Sequence, residues 1–200
     1  MYYTTFYVKS HHLNTKYYRL INGIHPIDTI LKYVILKISW RYDMDFSRYP
    51  LSGKYYGGTE RKIGIEIKGV PYMLKFQKKT AFGNRNNHIS EYLGCHIFEY
   101  LGFEVQETYL GTYKGEHVVA CKDFISENVQ FVPFNDVGES SLDQDKETYQ
   151  YDYEDIVQML EDNAKLTDVE YSIEFFWKMY IVDALLGNFD RHGGNWGFVK

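Results

Sequence analysis

Near the end of the sequence an aspartate and an asparagine, Asp190 and Asn195, stand five positions apart in a loop that follows a long apolar helical pattern. These two residue types suit the transfer of a phosphoryl group to a hydroxyl. A carboxylate beside the attacking hydroxyl orients it and accepts its proton. An amide oxygen one short turn later reaches a Mg²⁺ ion bound to nucleotide phosphates. Asp and Asn also abound in ordinary loops, where a structural turn accounts for the same spacing. The surroundings of the pair therefore decide how it is read.

Those surroundings are Asn188-Phe-Asp190-Arg191-His192-Gly-Gly-Asn195-Trp-Gly197. Further upstream come Tyr56-Gly57-Gly58-Thr59-Glu60-Arg61-Lys62, then Tyr72-Met-Leu-Lys75-Phe, then Asn87-x-x-Ser90-Glu91-Tyr92. Each has a plain reading by itself: a Gly-Gly turn, a solvated lysine on a strand edge, the opening of a helix. In this order they resemble the HipA-like serine/threonine kinases, whose catalytic loop shares the Asp-x-x-x-x-Asn spacing of protein kinases. The shorter phrase Asp-Arg-His-x-x-Asn also occurs in phosphoinositide kinases. The resemblance covers roughly residues 45–200.

The resemblance implies roles. Asp190 becomes the catalytic base and Asn195 a Mg²⁺ ligand, while Arg191 and His192 shape the loop or face phosphate. A backbone-bonded ring is an equal reading for His192. Gly57, Gly58 and Thr59 become a short phosphate-covering loop whose N–H groups approach the nucleotide. Lys75 becomes the lysine of the α- and β-phosphates and Glu91 its partner, which fixes the amine in place. Ala120, Cys121 and Lys122 fall, by position alone, where an interlobe hinge would meet an adenine edge. The implied cofactors are ATP and Mg²⁺. The family also uses a further metal-binding Asp after the catalytic loop, and this sequence ends five residues beyond Asn195. The expectation is a truncated product, or a partner that supplies the remaining lobe.

The elements that must position these residues are legible as patterns. Ile63, Ile65 and Ile67 alternate with Gly64 and Glu66, and Pro71 to Phe76 follows a Lys68-Gly69 turn, which reads as a β-hairpin. On its second strand Tyr72, Leu74 and Phe76 share one face and Met73, Lys75 and Gln77 the other. A helix is expected over 87–101, with Ile89, Tyr92, Leu93, Ile97, Tyr100 and Leu101 as its apolar stripe and Gly102 as its stop. A second hairpin pairs 105–112 with 117–124. The acidic stretch 126–155 reads as a solvated connector. Helices follow over 153–164 and from a capping box, Thr167-Asp-Val-Glu170, onward. The stripe Ile173, Phe176, Trp177, Tyr180, Ile181, Ala184 and Leu185 reads as the core side of that last helix, delivering the chain to Gly187-Asn188.

Composition bounds the rest. Two hundred residues, 44% hydrophobic, suffice for one domain or two small lobes. A formal charge of −5 argues against a nucleic-acid partner. Residues 1–44 hold six Lys or Arg against two Asp, a net +4, leaving −9 for the other 156. This leader, with one helix expected over 26–38, reads as an extension of unknown role, docking helix or upstream appendage. Cys95 and Cys121 have no metal or redox spacing and read as buried thiols. The most apolar run, 30–40, is broken by Lys32 and Lys37 and is too short to span a bilayer; a cytoplasmic protein is expected.

The fold expected is thus α+β and protein-kinase-like: an extension over 1–44, an N-lobe over 45–124 with an antiparallel sheet and one helix, and the first helices of an incomplete helical C-lobe over 125–200. The function expected is ATP- and Mg²⁺-dependent transfer to a protein serine or threonine, possible autophosphorylation included. Two other readings stand beside it. One is a pseudokinase or toxin–antitoxin-type module that binds nucleotide or an antitoxin-like partner without turnover. The other is a phosphoinositide or small-molecule kinase, which the acidic surface disfavours at an anionic membrane.

Overall fold

The computed structural model describes residues 6–8, 44–57, 60–125, 129–137, 152–162, 166, 168–189 and 191–199. The leader helix expected over 26–38, together with Gly58, Thr59, Thr167 and Asp190, lies outside the described residues. The chain divides into two compact units, one holding Met44 to Phe124, the other holding Phe6–Val8 and everything from Ile125 onward.

The first unit is a five-stranded sheet with one helix. Its strands are β2 (Met44–Asp45), β3 (Lys62–Ile67), β4 (Val70–Phe76), β7 (Thr108–Tyr113) and β8 (Glu116–Lys122), in the order β2-β7-β8-β4-β3. Both expected hairpins are present, and every pairing is antiparallel except that of β2 with β7, which is parallel. A purely antiparallel sheet is therefore corrected at that edge. The two-residue period splits the side chains between two cores. Phe46, Ile65, Tyr72, Leu74, Phe76, Val118 and Ala120 pack on one face. Leu110, Val119 and Cys121 pack with Tyr92 on the other. Between β4 and the helix, β5 (Lys79–Thr80) and β6 (Gly83–Asn84) make a small ribbon in the turn-rich stretch.

Helix α1 (Asn87–Tyr100) runs as expected and ends at Gly102, where φ is 90°. Its buried side differs from the expected stripe. His88, Glu91, Tyr92, Cys95, His96 and Phe98 are buried, whereas Ile89, Leu93 and Ile97 are only partly so. The helix is turned by about one residue because its inner face carries a charged partner for the sheet as well as apolar side chains.

In the second unit β9 (Phe131–Pro133) pairs antiparallel with β10 (Trp196–Val199), and β1 (Phe6–Val8) pairs parallel with β10 on its other side. The leader is thus no mere appendage at Phe6–Val8. The connector expected to be solvated holds β9 and a short helix, α2 (Phe134–Val137), in which fully buried Phe134 stacks on Trp196 at 4.3 Å. Gly197 permits the close strand approach, since a Cβ there would meet the Val132 carbonyl oxygen at 2.1 Å.

Helix α3 (Tyr153–Glu161) opens with a capping box between Asp152 and Asp155. Helix α4 (Val169–Leu186) is capped by Asp168, whose side chain accepts from the Tyr171 N–H at 2.9 Å, so the cap falls one residue later than expected. It closes on Gly187 in the left-handed region, φ 67°, a conformation a side chain would strain. Its buried side is Ser172, Phe175, Phe176, Met179, Val182 and Asp183. The expected stripe is corrected: Trp177, Tyr180, Ile181 and Leu185 are exposed. Apolar residues surround this helix, so hydrophobic period alone gave it no unique inner face. No helix among the described residues is long and apolar enough to cross a membrane.

Candidate active site

Lys75 lies on β4, an interior strand with β3 on one side and β8 on the other, so it is no edge lysine. Its side chain is buried and its Nζ donates to Glu91 Oε1 on α1. Asn87 sets the distance between the two elements. Its side-chain amide donates to the Phe76 carbonyl at 3.1 Å and accepts from the Lys78 N–H at 2.8 Å, clamping the start of α1 to the end of β4. Glu91 then sits one helical turn later, at the height of Lys75.

Burial opposes both charges, and the pair answers with mutual attraction. Burial alone would lower the Lys75 ammonium, but the Glu91 carboxylate outweighs it and holds the group above its ordinary value. Burial pushes the Glu91 carboxyl up, against the pull of Lys75. The Cys121 thiol donates to the same Oε1 at 3.7 Å and is itself pushed well up, first by burial and then by Glu91. A lysine locked this way presents a charge at a fixed place with little rotamer freedom to lose.

The rest of the upstream set is placed as follows. Gly57 lies in the segment leading into β3, and its carbonyl accepts from Lys62 Nζ at 2.8 Å. That segment is moored to the end of β8: Tyr56 Oη donates to Asp123 Oδ2 at 2.9 Å, and Lys54 Nζ sits 3.0 Å from the same oxygen. Ala120 and Cys121 are buried within β8, paired to β4 and β7 on either side, so the sheet ladder takes their backbone groups. The Lys122 N–H donates to the Glu107 carbonyl and its own carbonyl accepts from Gln106 Nε2 at 2.8 Å. These three positions, assigned to a hinge by position alone, are ladder residues; the chain leaves the sheet only after them.

In the second unit the loop after α4 is organised by a residue the sequence reading missed. Asp183, buried on α4, receives Arg191 as a fork, Nε to Oδ2 at 2.7 Å and Nη2 to Oδ1 at 2.8 Å. Its Oδ1 also accepts from Asn188 Nδ2 at 2.7 Å, and its carbonyl accepts from the Asn188 N–H at 2.8 Å. Arg191 Nη1 reaches on to the Asn195 carbonyl at 3.2 Å. Asn195, itself buried, closes a turn by donating its N–H to the His192 carbonyl at 2.9 Å. Arg191 is therefore a loop-shaping group. His192 is exposed, and its Nδ1 accepts from the Gly194 N–H at 3.2 Å, which makes it a backbone-bonded ring. The signal for Asp183 was the only carboxylate in the apolar last three turns of α4, five residues before Asn188.

A family model described as the HipA-like C-terminal domain matches residues 55–200. The chain belongs to the HipA-like family. It is 39% identical over 163 residues to the serine/threonine-protein kinase CtkA of Helicobacter pylori, a match covering 78% of this chain and 50% of that protein. It also matches the crystal structure of a Helicobacter pylori proinflammatory kinase, CtkA, with a TM-score of 0.70 and 35% identity, over 79% of this chain and 55% of the other. The chain thus spans about half the length of the relatives it matches, and its α+β fold is that of the HipA-like kinases.

Among the described residues no group of three or more His, Cys, Asp or Glu gathers as a metal site. Asn195 is the residue of this loop that would offer an amide oxygen to a nucleotide-bound Mg²⁺. Hard oxygen donors of that kind, together with phosphate oxygens and water, suit Mg²⁺.

Proposed function

We propose that this chain is the nucleotide-binding and catalytic-loop part of an ATP- and Mg²⁺-dependent protein serine/threonine kinase that acts in the cytoplasm on a protein hydroxyl. The observation that carries the reading is the buried Lys75–Glu91 pair, held between an interior strand and the clamped start of α1. A buried ion pair is a poor source of stability, so a functional charge is the better account of its presence. In this reading Lys75 meets the α- and β-phosphates, Asp190 accepts the proton of the acceptor hydroxyl, and Asn195 holds the metal. The Asp183–Arg191 fork braces the loop that carries Asp190 and Asn195. Mg²⁺, when bound, neutralises phosphate charge; the protein's own contribution is mostly positioning. Titration of ATP into the chain, with and without Mg²⁺, tests the reading. Metal-dependent binding that Lys75→Met weakens at least about tenfold supports it, and binding indifferent to both contradicts it.

A second reading is favoured by the exposed apolar side of α4. An apolar face with Trp177, Tyr180, Ile181 and Leu185 open to solvent also fits a module that binds nucleotide and an antitoxin-like partner without turnover. Turnover by the natural full-length protein separates the two readings.

A further inference from the structure

The turn that leads into Asn195 is gripped from two sides. On one side stands the Asp183–Arg191 fork from α4. On the other stands Asn135, in the stretch that average charge makes look like a solvated connector. Strand β9 pairs with β10 as far as Pro133 and Gly197, so the chain that enters α2 runs on past the residues preceding Trp196. Phe134 is fully buried and stacked on the Trp196 ring, 4.3 Å away with 13° between the planes, which fixes where the next residue begins. The Asn135 N–H then donates to the Gly193 carbonyl at 3.2 Å.

The Asn135 side chain fills the space that two glycines leave. A Cβ on Gly193 would meet Asn135 Oδ1 at 2.0 Å and Cγ at 3.0 Å, and one on Gly194 would lie 3.8 Å from Asn135 Nδ2. Neither glycine has a left-handed φ. At Gly193, therefore, the neighbouring amide and not the backbone leaves no room for a side chain. Two successive glycines make a turn with much conformational freedom to lose. The turn closes through the Asn195 N–H on the His192 carbonyl at 2.9 Å and the Gly194 N–H on the His192 ring at 3.2 Å, and the amide packed against it limits what else it can adopt.

We propose that Asn135 is a positioning residue for the loop after α4: its amide, wedged against Gly193 and Gly194, locks the turn from His192 to Asn195 and so fixes the place from which Asn195 acts. The service of that lock to Mg²⁺-dependent phosphoryl transfer rests on the proposed function; the lock itself does not.

The experiment uses the natural full-length protein and its Asn135→Ala, Gly193→Ala and double variants, read by amide hydrogen exchange, thermal unfolding and γ-phosphoryl transfer at varied Mg²⁺. In Asn135→Ala the Gly194 and Asn195 amides exchange about fivefold faster, the worth of one ordinary hydrogen-bonding contact, while exchange elsewhere and the unfolding temperature stay near the parent's. Transfer at saturating ATP falls roughly tenfold or more, as expected of a displaced site group, and more Mg²⁺ is needed for half the maximal rate. Gly193→Ala drives the amide out of its place and gives the same pattern, and the double variant is no worse than Asn135→Ala. Unchanged exchange at Gly194 and Asn195, or losses that simply add in the double variant, overturns the lock. Faster exchange there with transfer and Mg²⁺ requirement unchanged overturns the positioning role. No transfer by the parent contradicts the proposed function and with it that role, while exchange still decides the lock.

Discussion

Arg191 grips Asp183 with two parallel hydrogen bonds, 2.7 and 2.8 Å long, across eight residues of sequence, and so ties the loop that contains Asp190 to the helix before it. Asn188, on the other side of Asp190, is held by the same carboxylate. One buried side chain thereby fixes both flanks of the candidate base.

Removing that side chain leaves a guanidinium buried without its partner. Asp183→Ala is expected to cost about 3–5 kcal/mol of unfolding free energy. Asp183→Asn keeps part of the hydrogen bonding and should cost less. Urea titration of the two variants checks the order. Equal and small losses would mean that the fork contributes shape alone.

The Lys75–Glu91 pair predicts non-additivity. Lys75→Met and Glu91→Leu are each expected to destabilise by about 3 kcal/mol, because each strands a buried charge, and the double variant by less than the sum. The Lys75→Met penalty should shrink toward low pH. Burial raises the Glu91 carboxyl, so the carboxylate left behind takes up a proton on folding and that uptake stabilises the fold as pH falls. A double-variant cycle at two pH values measures both effects.

His88 gives the fold an acid limit. It is buried on α1, stacked on His117 at 5.8 Å, with Nδ1 lacking a hydrogen-bond partner, and its pKa falls from 6.5 to about 4, through burial first and His117 second. The folded value is depressed, so the unfolded chain binds the extra proton. His88 therefore contributes fully above about pH 6.5, and the contribution is lost as pH falls toward 4. The span amounts to roughly 3 kcal/mol. Stability measured from pH 7 to 4 should fall more gently in His88→Leu than in the parent; parallel curves would remove His88 as the cause.

The orientation of α4 is testable through surface chemistry. Ile181→Gln and Leu185→Gln should change unfolding free energy by no more than about 0.5 kcal/mol, whereas Met179→Ala should cost about 2–5 kcal/mol. Sedimentation at increasing concentration should show less self-association in the two glutamine variants. A large loss from Ile181→Gln would restore the side that hydrophobic period suggested.

That helix shows where the sequence was readable and where it was not. Lys75 and Glu91 could be placed because a strand period of two and a helix start at Asn87 are local signals. The buried sides of α1 and α4 could not, since Glu91 and Asp183 point inward as charged partners and His88 as a buried ring, and a count of apolar residues discards them. Phe131 to Val137 were hidden in an acidic stretch whose average charge masked a strand and the buried ring of Phe134. Ala120 and Cys121, read by family order as hinge positions, are paired on both sides within the sheet, and family order does not say where a strand stops pairing.

The central claim is phosphoryl transfer through the loop after α4, and transfer itself is its most direct test. Incorporation of labelled γ-phosphate from ATP is compared between the natural full-length protein and its Asp190→Asn variant. The account predicts incorporation that depends on Mg²⁺ and falls roughly 10²-fold or more in the variant. Equal incorporation by the two proteins, or none by the parent, would contradict it.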